Sequence, residues 1–168
     1  MKKTITLFTL LFTLYLNAQS FIDEITFTFG IGTSRSEKLD DSTTGNVNLL
    51  FNSNNHLFGL HYESGSKLIT LSNNPDKYSV ANILYGRNFQ IKDNFSIELL
   101  SGLGIFNYRS YDFTDGKDVN TLNVPVKGNL VFHLNDGNWI DKLGIGISSS
   151  VNNQNIVTSF LFLVQFRL

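Results

Sequence analysis

Residues 158–168 read TSFLFLVQFRL. Successive side chains of a strand point to opposite faces, so this stretch has one strongly apolar face and one mixed face. The apolar face holds Phe160, Phe162, Val164, Phe166 and Leu168. The mixed face holds Ser159, Leu161, Leu163, Gln165 and Arg167. A strand with such a face needs a large apolar surface to pack against, and we predict that this surface is lipid. We also predict that the strand closes a barrel against residues 24–33.

The same alternation of apolar and polar residues recurs along the chain, and it predicts seven further strands. They cover residues 24–33, 46–52, 57–63 (with a continuation through 67–71), 79–91, 95–108, 122–134 and 143–151. The total of eight is even, as in bacterial membrane barrels, and the longer connections alternate with shorter ones. The sequence therefore predicts an all-β fold, an eight-stranded antiparallel up-and-down transmembrane β-barrel over residues 19–168.

The predicted long connections are residues 33–45, 72–78 and 109–121, which are rich in Asp, Asn, Ser and Gly. Outer-membrane barrels have short periplasmic turns and longer external loops. We therefore expect these three segments to be the external loops through which an extracellular partner would bind, although nothing in them identifies that partner. The last external connection, residues 152–155, is short.

The N-terminal residues 1–18 have the layout of a cleaved signal peptide. Lys2 and Lys3 precede an apolar run over residues 5–16, and the sequence Asn-Ala-Gln-Ser follows. The run is shorter than the roughly 20 residues of a transmembrane helix. We expect cleavage after Ala18 and export of the mature chain to the outer membrane.

Composition favours a membrane barrel over a soluble one. Charged residues make up 16% of the 168 residues, below the roughly 25% of an ordinary soluble domain. The polar strand faces carry mostly Thr, Ser, Asn and Gly, which suit a narrow interior better than a water-exposed surface. The alternative is a secreted, soluble, lipocalin-like barrel that turns its apolar face inward around an apolar ligand.

Isolated charges on the polar faces would lie inside a membrane barrel and would need partners there. They are Glu24, Glu63, Glu98, Lys127 and Arg167, with His61 and His133. We predict that Glu24 faces Arg167 at the periplasmic mouth, and we consider Lys127 with Glu98 a weaker candidate pair. The direction of the Arg87 side chain is harder to predict. The odd-numbered residues of its strand are more apolar than the even-numbered ones, which favours the lipid face over the lumen.

Neither an enzyme nor a metal site is predicted. The net charge of −1 gives no basis for a nucleic-acid partner, and the absence of cysteine excludes thiolate chemistry. The three histidines are scattered, and none lies in a predicted external loop beside a nucleophile. We expect no catalytic, cofactor-binding or metal-binding residues. This expectation argues against a barrel enzyme that acts on lipid.

Two groups of residues carry structural predictions. Gly-x-Gly pairs at residues 30–32, 102–104 and 144–146 are expected to relieve crowding inside the barrel rather than to bind nucleotides. Aromatic residues near the strand ends are expected to form two girdles. The periplasmic girdle would contain Trp139, Phe89, Phe95 and Phe166, and the external one Tyr62, Tyr108 and Tyr111.

Residues 90–108, QIKDNFSIELLSGLGIFNY, resemble a hairpin of the small eight-stranded outer-membrane proteins of the OmpX/Ail kind. Residues 122–132, with an Asn-Val-Pro-Val core, and the Asn-Ala-Gln junction resemble the outer-membrane β-barrel domain common in Bacteroidota. The resemblance implies a non-enzymatic protein with a structural or surface-interaction role, and it transfers no functional residue. The short last loop departs from an adhesin with four long loops.

Overall fold

The computed structural model describes residues 24–35, 42–67, 76–112, 115–134, 140–153 and 156–167. Within these ranges, side chains are described for all residues except 67, 110–112, 115–117 and 167. The predicted signal peptide, residues 1–18, lies outside the described residues.

Eight antiparallel strands follow one another around a closed barrel, each paired with its neighbours in sequence. The strands are β1 (Glu24–Arg35), β2 (Ser42–Ser53), β3 (His56–Lys67), β4 (Lys77–Lys92), β5 (Phe95–Asp112), β6 (Asp115–His133), β7 (Lys142–Val151) and β8 (Ile156–Arg167). The predicted fold class and strand count are confirmed.

The barrel closes where β1 pairs with β8, as residues 158–168 predicted. The register runs from Thr26 opposite Arg167 to Arg35 opposite Thr158. Closure leaves neither of the two terminal strands with an unpaired edge. One end of the barrel carries the β2–β3, β4–β5 and β6–β7 connections and the start of β1, and we call it the turn end. The opposite end is the loop end.

The predicted external loops include residues that belong to strands in the structure. In segment 33–45, β1 continues to Arg35 and β2 begins at Ser42; in segment 109–121, β5 continues to Asp112 and β6 begins at Asp115. In segment 72–78, β4 already begins at Lys77, and residues 72–75 lie outside the described residues. Residues 68–71, the proposed continuation of the third strand, also lie outside them.

These strand extensions could not be recognised from the sequence pattern. Both faces of the strands are hydrophilic there, so apolar and polar residues do not alternate. The ladder nevertheless continues: Thr33 lies opposite Thr43, and Arg109 lies opposite Asp118. Pairing with a neighbouring strand, rather than the local pattern, sets these strand ends.

Two short turns fix the register at the turn end. Asn54 and Asn55 join β2 to β3 with φ values of 50° and 66°, the left-handed conformation that asparagine tolerates in two-residue hairpins. The β4–β5 turn is also two residues long, and a register shift between Gln90 and Lys92 adds one bulged residue. Because of this bulge, Arg87 and Phe89 point to the outer face of the barrel.

Inward-facing glycines lie where neighbouring strands approach closely, as predicted. A Cβ atom on Gly32 would meet the carbonyl oxygen of Phe160, and a Cβ on Gly102 would meet that of Ile83. These obstacles are backbone atoms, which cannot move aside without disturbing the ladder. A small barrel of strongly curved strands therefore requires glycine at these positions.

Pro125 lies in the middle of β6, which begins ten residues earlier, at Asp115. The β5–β6 ladder has registered pairs up to Ser101 opposite Val126, and they resume at Gly104 opposite Asn123. The hydroxyl of Ser101 donates to the Pro125 carbonyl at 2.8 Å across this interruption. The barrel thus accommodates a residue without a backbone donor.

Candidate functional site

The outer surface carries a continuous belt of exposed apolar side chains, which we call the apolar belt. Among its members, Leu122, Phe162, Ile83 and Leu103 are 68–80% exposed. On β5 the belt runs from Phe95 to Ile105; ten residue steps of about 3.3 Å, tilted by about 40°, give a height of about 25 Å. This is the height expected of the apolar band of an outer-membrane barrel.

The inner surface is mainly polar and tightly filled. Asn123, Gln165, Thr28 and Lys127 are at most 2% exposed. The soluble alternative required the apolar faces to point inward around a ligand, and the structure shows the opposite direction. That alternative is therefore wrong.

Lys127 is at the centre of the inner network and contacts the opposite wall of the barrel. Its Nζ donates to Oδ1 of Asn48 at 2.9 Å, which joins β6 to β2. The same oxygen lies 2.6 Å from Nδ1 of His61, whose Nε2 is 3.5 Å from Oε2 of Glu63. The predicted inward placement of Lys127, His61 and Glu63 is confirmed.

Glu63 accepts hydrogen bonds from two other strands, β4 and β8, towards the loop end. Its Oε1 accepts hydrogen bonds from the hydroxyls of Ser159 at 2.6 Å and Tyr78 at 2.8 Å. The Tyr78 ring stacks on Phe106 with centroids 5.9 Å apart, within a small apolar cluster that also contains Val80 and Val157. An aromatic layer therefore fills the lumen beside the buried carboxylate.

Glu98 does not pair with Lys127 as suggested. It accepts from Nδ2 of Asn129 at 2.8 Å and from Nε2 of Gln165 at 3.3 Å, and no ion pair joins it to Lys127 in the described part of the chain. Lys127 extends instead across the lumen to β2. Sequence spacing indicated that the two charges were on adjacent strands but could not indicate the direction of a long side chain.

Glu24 pairs with Lys142, a residue that the sequence analysis did not single out. The Nζ of Lys142 lies 3.0 Å from Oε1 of Glu24 and 3.4 Å from Oδ2 of Asp141. The predicted partner, Arg167, lies opposite Thr26 along the backbone, but its side chain is outside the described part of the structure. Lys142 was missed because it was adjacent to a predicted turn.

At the loop end, the β5–β6 hairpin continues beyond the apolar belt. On its outer face Arg109 and Asp118 form a two-pronged ion pair, with Nη2 donating to Oδ2 at 2.7 Å. The hydrogen bond from Arg109 holds the pKa of Asp118 below its usual range. This ion pair between directly opposed residues adds to the backbone pairing of a segment that was expected to be a loop.

A polar groove of about 690 Å³ runs across the outer surface just above the belt. Its floor is a cross-strand row of small residues, in which Gly45 lies opposite Ser64 and Ser64 opposite Ser79. Lys77 and Arg109 line its upper side, and Phe29 and Tyr62 its lower side. The groove therefore separates the apolar belt from the charged loop end.

Arg87 is exposed on the outer face, as the odd-numbered pattern favoured. Its Nη2 lies 3.1 Å from Nε2 of His56, and Nδ1 of His56 lies 2.7 Å from the hydroxyl of Tyr85. Phe89 and Ile91 continue the apolar belt beyond it towards the turn end. This polar trio is thus set into an otherwise apolar surface.

The aromatic girdles are confirmed only in part. Phe89 is exposed on the outer face, Phe95 packs against Phe132 with centroids 5.0 Å apart, and Tyr62 is 52% exposed. Tyr108 is wrong as a girdle residue, because it packs beside the inner Tyr78 cluster. Trp139 and the side chain of Tyr111 lie outside the described residues.

The described residues contain neither a membrane-spanning helix nor a cluster of metal ligands. No helix there is long and apolar enough to cross a bilayer. Nor do those residues place three or more His, Cys, Asp or Glu side chains where they could hold a metal ion together.

Solved structures with this architecture are small outer-membrane barrels of low sequence identity. Neisserial surface protein A (NspA) superimposes with a TM-score of 0.68 at 8% identity, over 86% of this chain and 96% of NspA. Ail, the attachment invasion locus protein of Yersinia pestis, gives 0.60 at 11% identity, over 86% and 97%. The N-terminal β-barrel domain of Pseudomonas aeruginosa OprF gives 0.60 at 10% identity, over 85% and 97%.

Neither a known family profile nor a curated protein matches the sequence. Membership of the Bacteroidota barrel family therefore stays a prediction. The structural likenesses confirm the architecture that the OmpX/Ail resemblance implied: the chain has the fold of the small eight-stranded outer-membrane β-barrels.

Proposed function

We propose that the chain is exported, loses residues 1–18 as a signal peptide, and inserts into the outer membrane as a closed barrel with a non-enzymatic structural or surface-interaction role. The observation that carries this proposal is the apolar belt on all sides of a barrel whose interior is polar. Exposed apolar surface on this scale is unfavourable in water and favourable in lipid.

A role as an open channel is disfavoured by the contacts that cross the lumen. Lys127 reaches Asn48 on the opposite wall, and Ser159 of β8 reaches Glu63 of β3. Eight-stranded barrels have interiors only wide enough for side chains to fill. The barrel therefore serves as a membrane anchor for the segments at its two ends.

A hydrolytic role is disfavoured by the burial of a serine–histidine contact in the lumen. Ser96 Oγ lies 2.9 Å from Nε2 of His133, the geometry of a nucleophile and its base. Ser96 is only 1% exposed, however, so a substrate could not reach its oxygen without opening the barrel. The contact is better explained as a hydrogen bond that satisfies the buried Ser96 hydroxyl and the partly buried His133 ring.

Surface interaction is assigned to the loop end, where the β5–β6 hairpin and the polar groove present Lys77, Arg109 and Asp118. Two of the similar structures are described by their names as a surface protein and as an attachment invasion locus protein. The long β5–β6 hairpin favours recognition by strand and groove residues.

Membrane insertion can be tested by fractionation of the native host, followed by gel migration with and without boiling. We expect the protein in the membrane pellet, with an unboiled band that migrates differently from the boiled one because the closed barrel resists detergent. Recovery in the soluble fraction without a heat-dependent shift would contradict the proposal.

Orientation can be tested by labelling, since the chain contains no cysteine. Asn107→Cys places a thiol on the outer face towards the loop end, and Asp93→Cys places one in the β4–β5 turn. A membrane-impermeant maleimide should label the first variant on intact cells and the second only after lysis. The reverse result would mean that the turn end faces outwards.

A further inference from the structure

We propose that the outer face of β4–β8 binds one phospholipid of the periplasmic leaflet, with its phosphate at Arg87 and Tyr85 and an acyl chain in an apolar groove over Gly128. This site rests on the proposed membrane insertion. It is distinct from the lumen network and from the polar groove at the loop end.

The hydrogen-bond directions of the polar trio leave donors unsatisfied. Arg87 can only donate, so Nε2 of His56 must accept, and its Nδ1–H therefore donates to the oxygen of Tyr85. The hydroxyl hydrogen of Tyr85 and the remaining guanidinium N–H groups are then free to bind an acceptor. Stacking of His56 on Tyr85 at 5.9 Å and packing of Phe58 at 5.1 Å hold the trio in place.

The missing acceptor is expected to be an anion. Within the described residues no carboxylate lies within ion-pair distance of Arg87, and its outward side chain has the apolar belt on both sides along β4. In lipid, water is scarce and an unpaired cation is costly. A phosphodiester supplies both the charge and several acceptor oxygens, which suits the planar guanidinium.

An apolar groove begins one strand away from Arg87. Arg87 lies opposite Leu99, and Leu99 lies opposite Gly128, so Gly128 is about 10 Å from Arg87 at two strand spacings. The groove has a volume of about 660 Å³ and is lined by Ile97, Leu99, Leu130, Ile145 and Ile147 around Gly128. The glycine leaves room there, since a Cβ atom would meet only a Leu99 methyl at 3.6 Å.

The direction of this groove matches that of a lipid chain. The cross-strand row starts at His56, next to the turn end, and passes through Arg87, Leu99, Gly128, Ile147 and Phe160. It reaches Thr33, two residues before the loop-end limit of β1. The row therefore climbs from the turn end towards the middle of the belt, as an acyl chain does from the periplasmic headgroup region. The four spacings from Arg87 to Phe160 span about 19 Å along the row, which is a rise of about 12 Å for strands tilted by about 40°. This rise is comparable to the roughly 15 Å half-thickness of the hydrocarbon core.

The test is native mass spectrometry of the folded barrel in an uncharged detergent, titrated with a long-chain phosphatidylglycerol. We expect one retained lipid per barrel. Arg87→Gln should weaken retention about tenfold, and Tyr85→Phe about threefold, because each removes hydrogen-bond donors to the phosphate. Lys92→Gln is the matched control, since it removes an exposed cation from the same end of the same strand, and it should retain lipid like the wild type.

A second variant separates the acyl groove from the headgroup contacts. Gly128→Leu fills the groove without meeting backbone, so it should weaken retention of a long-chain phosphatidylglycerol severalfold but not that of a dioctanoyl form. Arg87→Gln should weaken both. A diacyl glycolipid without phosphate should bind the wild type as weakly as phosphatidylglycerol binds Arg87→Gln.

Equal retention by wild type and Arg87→Gln, or loss caused equally by Lys92→Gln, would overturn the site. Displacement of the lipid by inorganic phosphate alone would overturn its assignment to a membrane lipid. The heat-dependent gel shift is recorded for every sample, so a failed lipid site in a folded, membrane-inserted barrel is distinguishable from failure of the insertion proposal itself.

Discussion

The two faces of each strand are stabilised by different kinds of interaction. On the outer face, Leu60, Ile83 and Phe162 are exposed, and what they share is apolar character rather than individual partners. On the inner face, Lys127, Glu63 and Glu98 each have particular partners on strands across the lumen. Outer positions should therefore tolerate any apolar residue, whereas inner positions should depend on size and on specific hydrogen bonds.

The largest effect is expected from adding bulk on the inner face. Gly32→Val would place side-chain atoms against the Phe160 carbonyl at the closing seam, so we expect the barrel not to close. Gly45→Val, on the outer face of β2, would meet only the Gly30 carbonyl at 3.8 Å and should fold. The heat-dependent gel shift after refolding measures the closure of both variants. A folded Gly32→Val barrel would contradict the expected difference between the inner and outer faces.

Loss of the central inner cation is expected to be the next largest effect. Lys127→Met leaves Glu63 and Glu98 buried without the nearby positive charge, and it should reduce the free energy of unfolding by about 3 kcal/mol. Denaturant unfolding in vesicles measures the change. Lys92→Met, an exposed lysine near a turn, serves as the control and should have little effect. Equal losses in the two variants would show that the inner charge has no special role.

A charge on the outer face should matter according to its depth. Leu60→Arg puts a cation between Phe58 and Tyr62 in the apolar belt on β3, and it should cost about 2–4 kcal/mol in a bilayer. Ser64→Arg puts the same residue just above the belt and should cost about 0–1 kcal/mol. The same unfolding assay applies, and identical costs would indicate that this face does not contact lipid.

The smallest effect is expected at the exposed Arg109–Asp118 pair. Because the pKa of Asp118 is lowered in the folded state, the pair stabilises the hairpin above the ordinary Asp pKa, and this contribution is lost as pH falls through the lowered value. Hydrogen exchange should show the β5–β6 extension loosening at acidic pH, with the pairing of β1 and β8 at the same end of the barrel unchanged. Asp118→Asn should remove this pH dependence in the extension.

The outer face could be predicted almost completely from the sequence. Period-2 apolar residues located all eight strands, and the odd-numbered pattern of β4 placed Arg87 outside. Apolar alternation is a local signal, and it appears wherever one strand face contacts lipid and the other is polar.

The inner partners could not be predicted in the same way. The Asn48–Lys127 contact joins residues 79 positions apart on opposite walls, and nothing in the spacing of two polar residues indicates such a contact. Lys142 and Tyr78 were missed because both lay at the edges of predicted turns. The extensions of β5 and β6 were missed because strand pairing continues there without apolar residues.

The central claim, that the apolar faces contact lipid and the polar faces fill the lumen, is tested most directly on β8. Single cysteines at residues 160 to 165 carry a nitroxide label in vesicles, and accessibility to oxygen, which concentrates in lipid, is compared along the strand. We predict high accessibility at Phe160, Phe162 and Val164 and low accessibility at Leu161, Leu163 and Gln165. A uniform profile, or one with the opposite phase, would contradict the account.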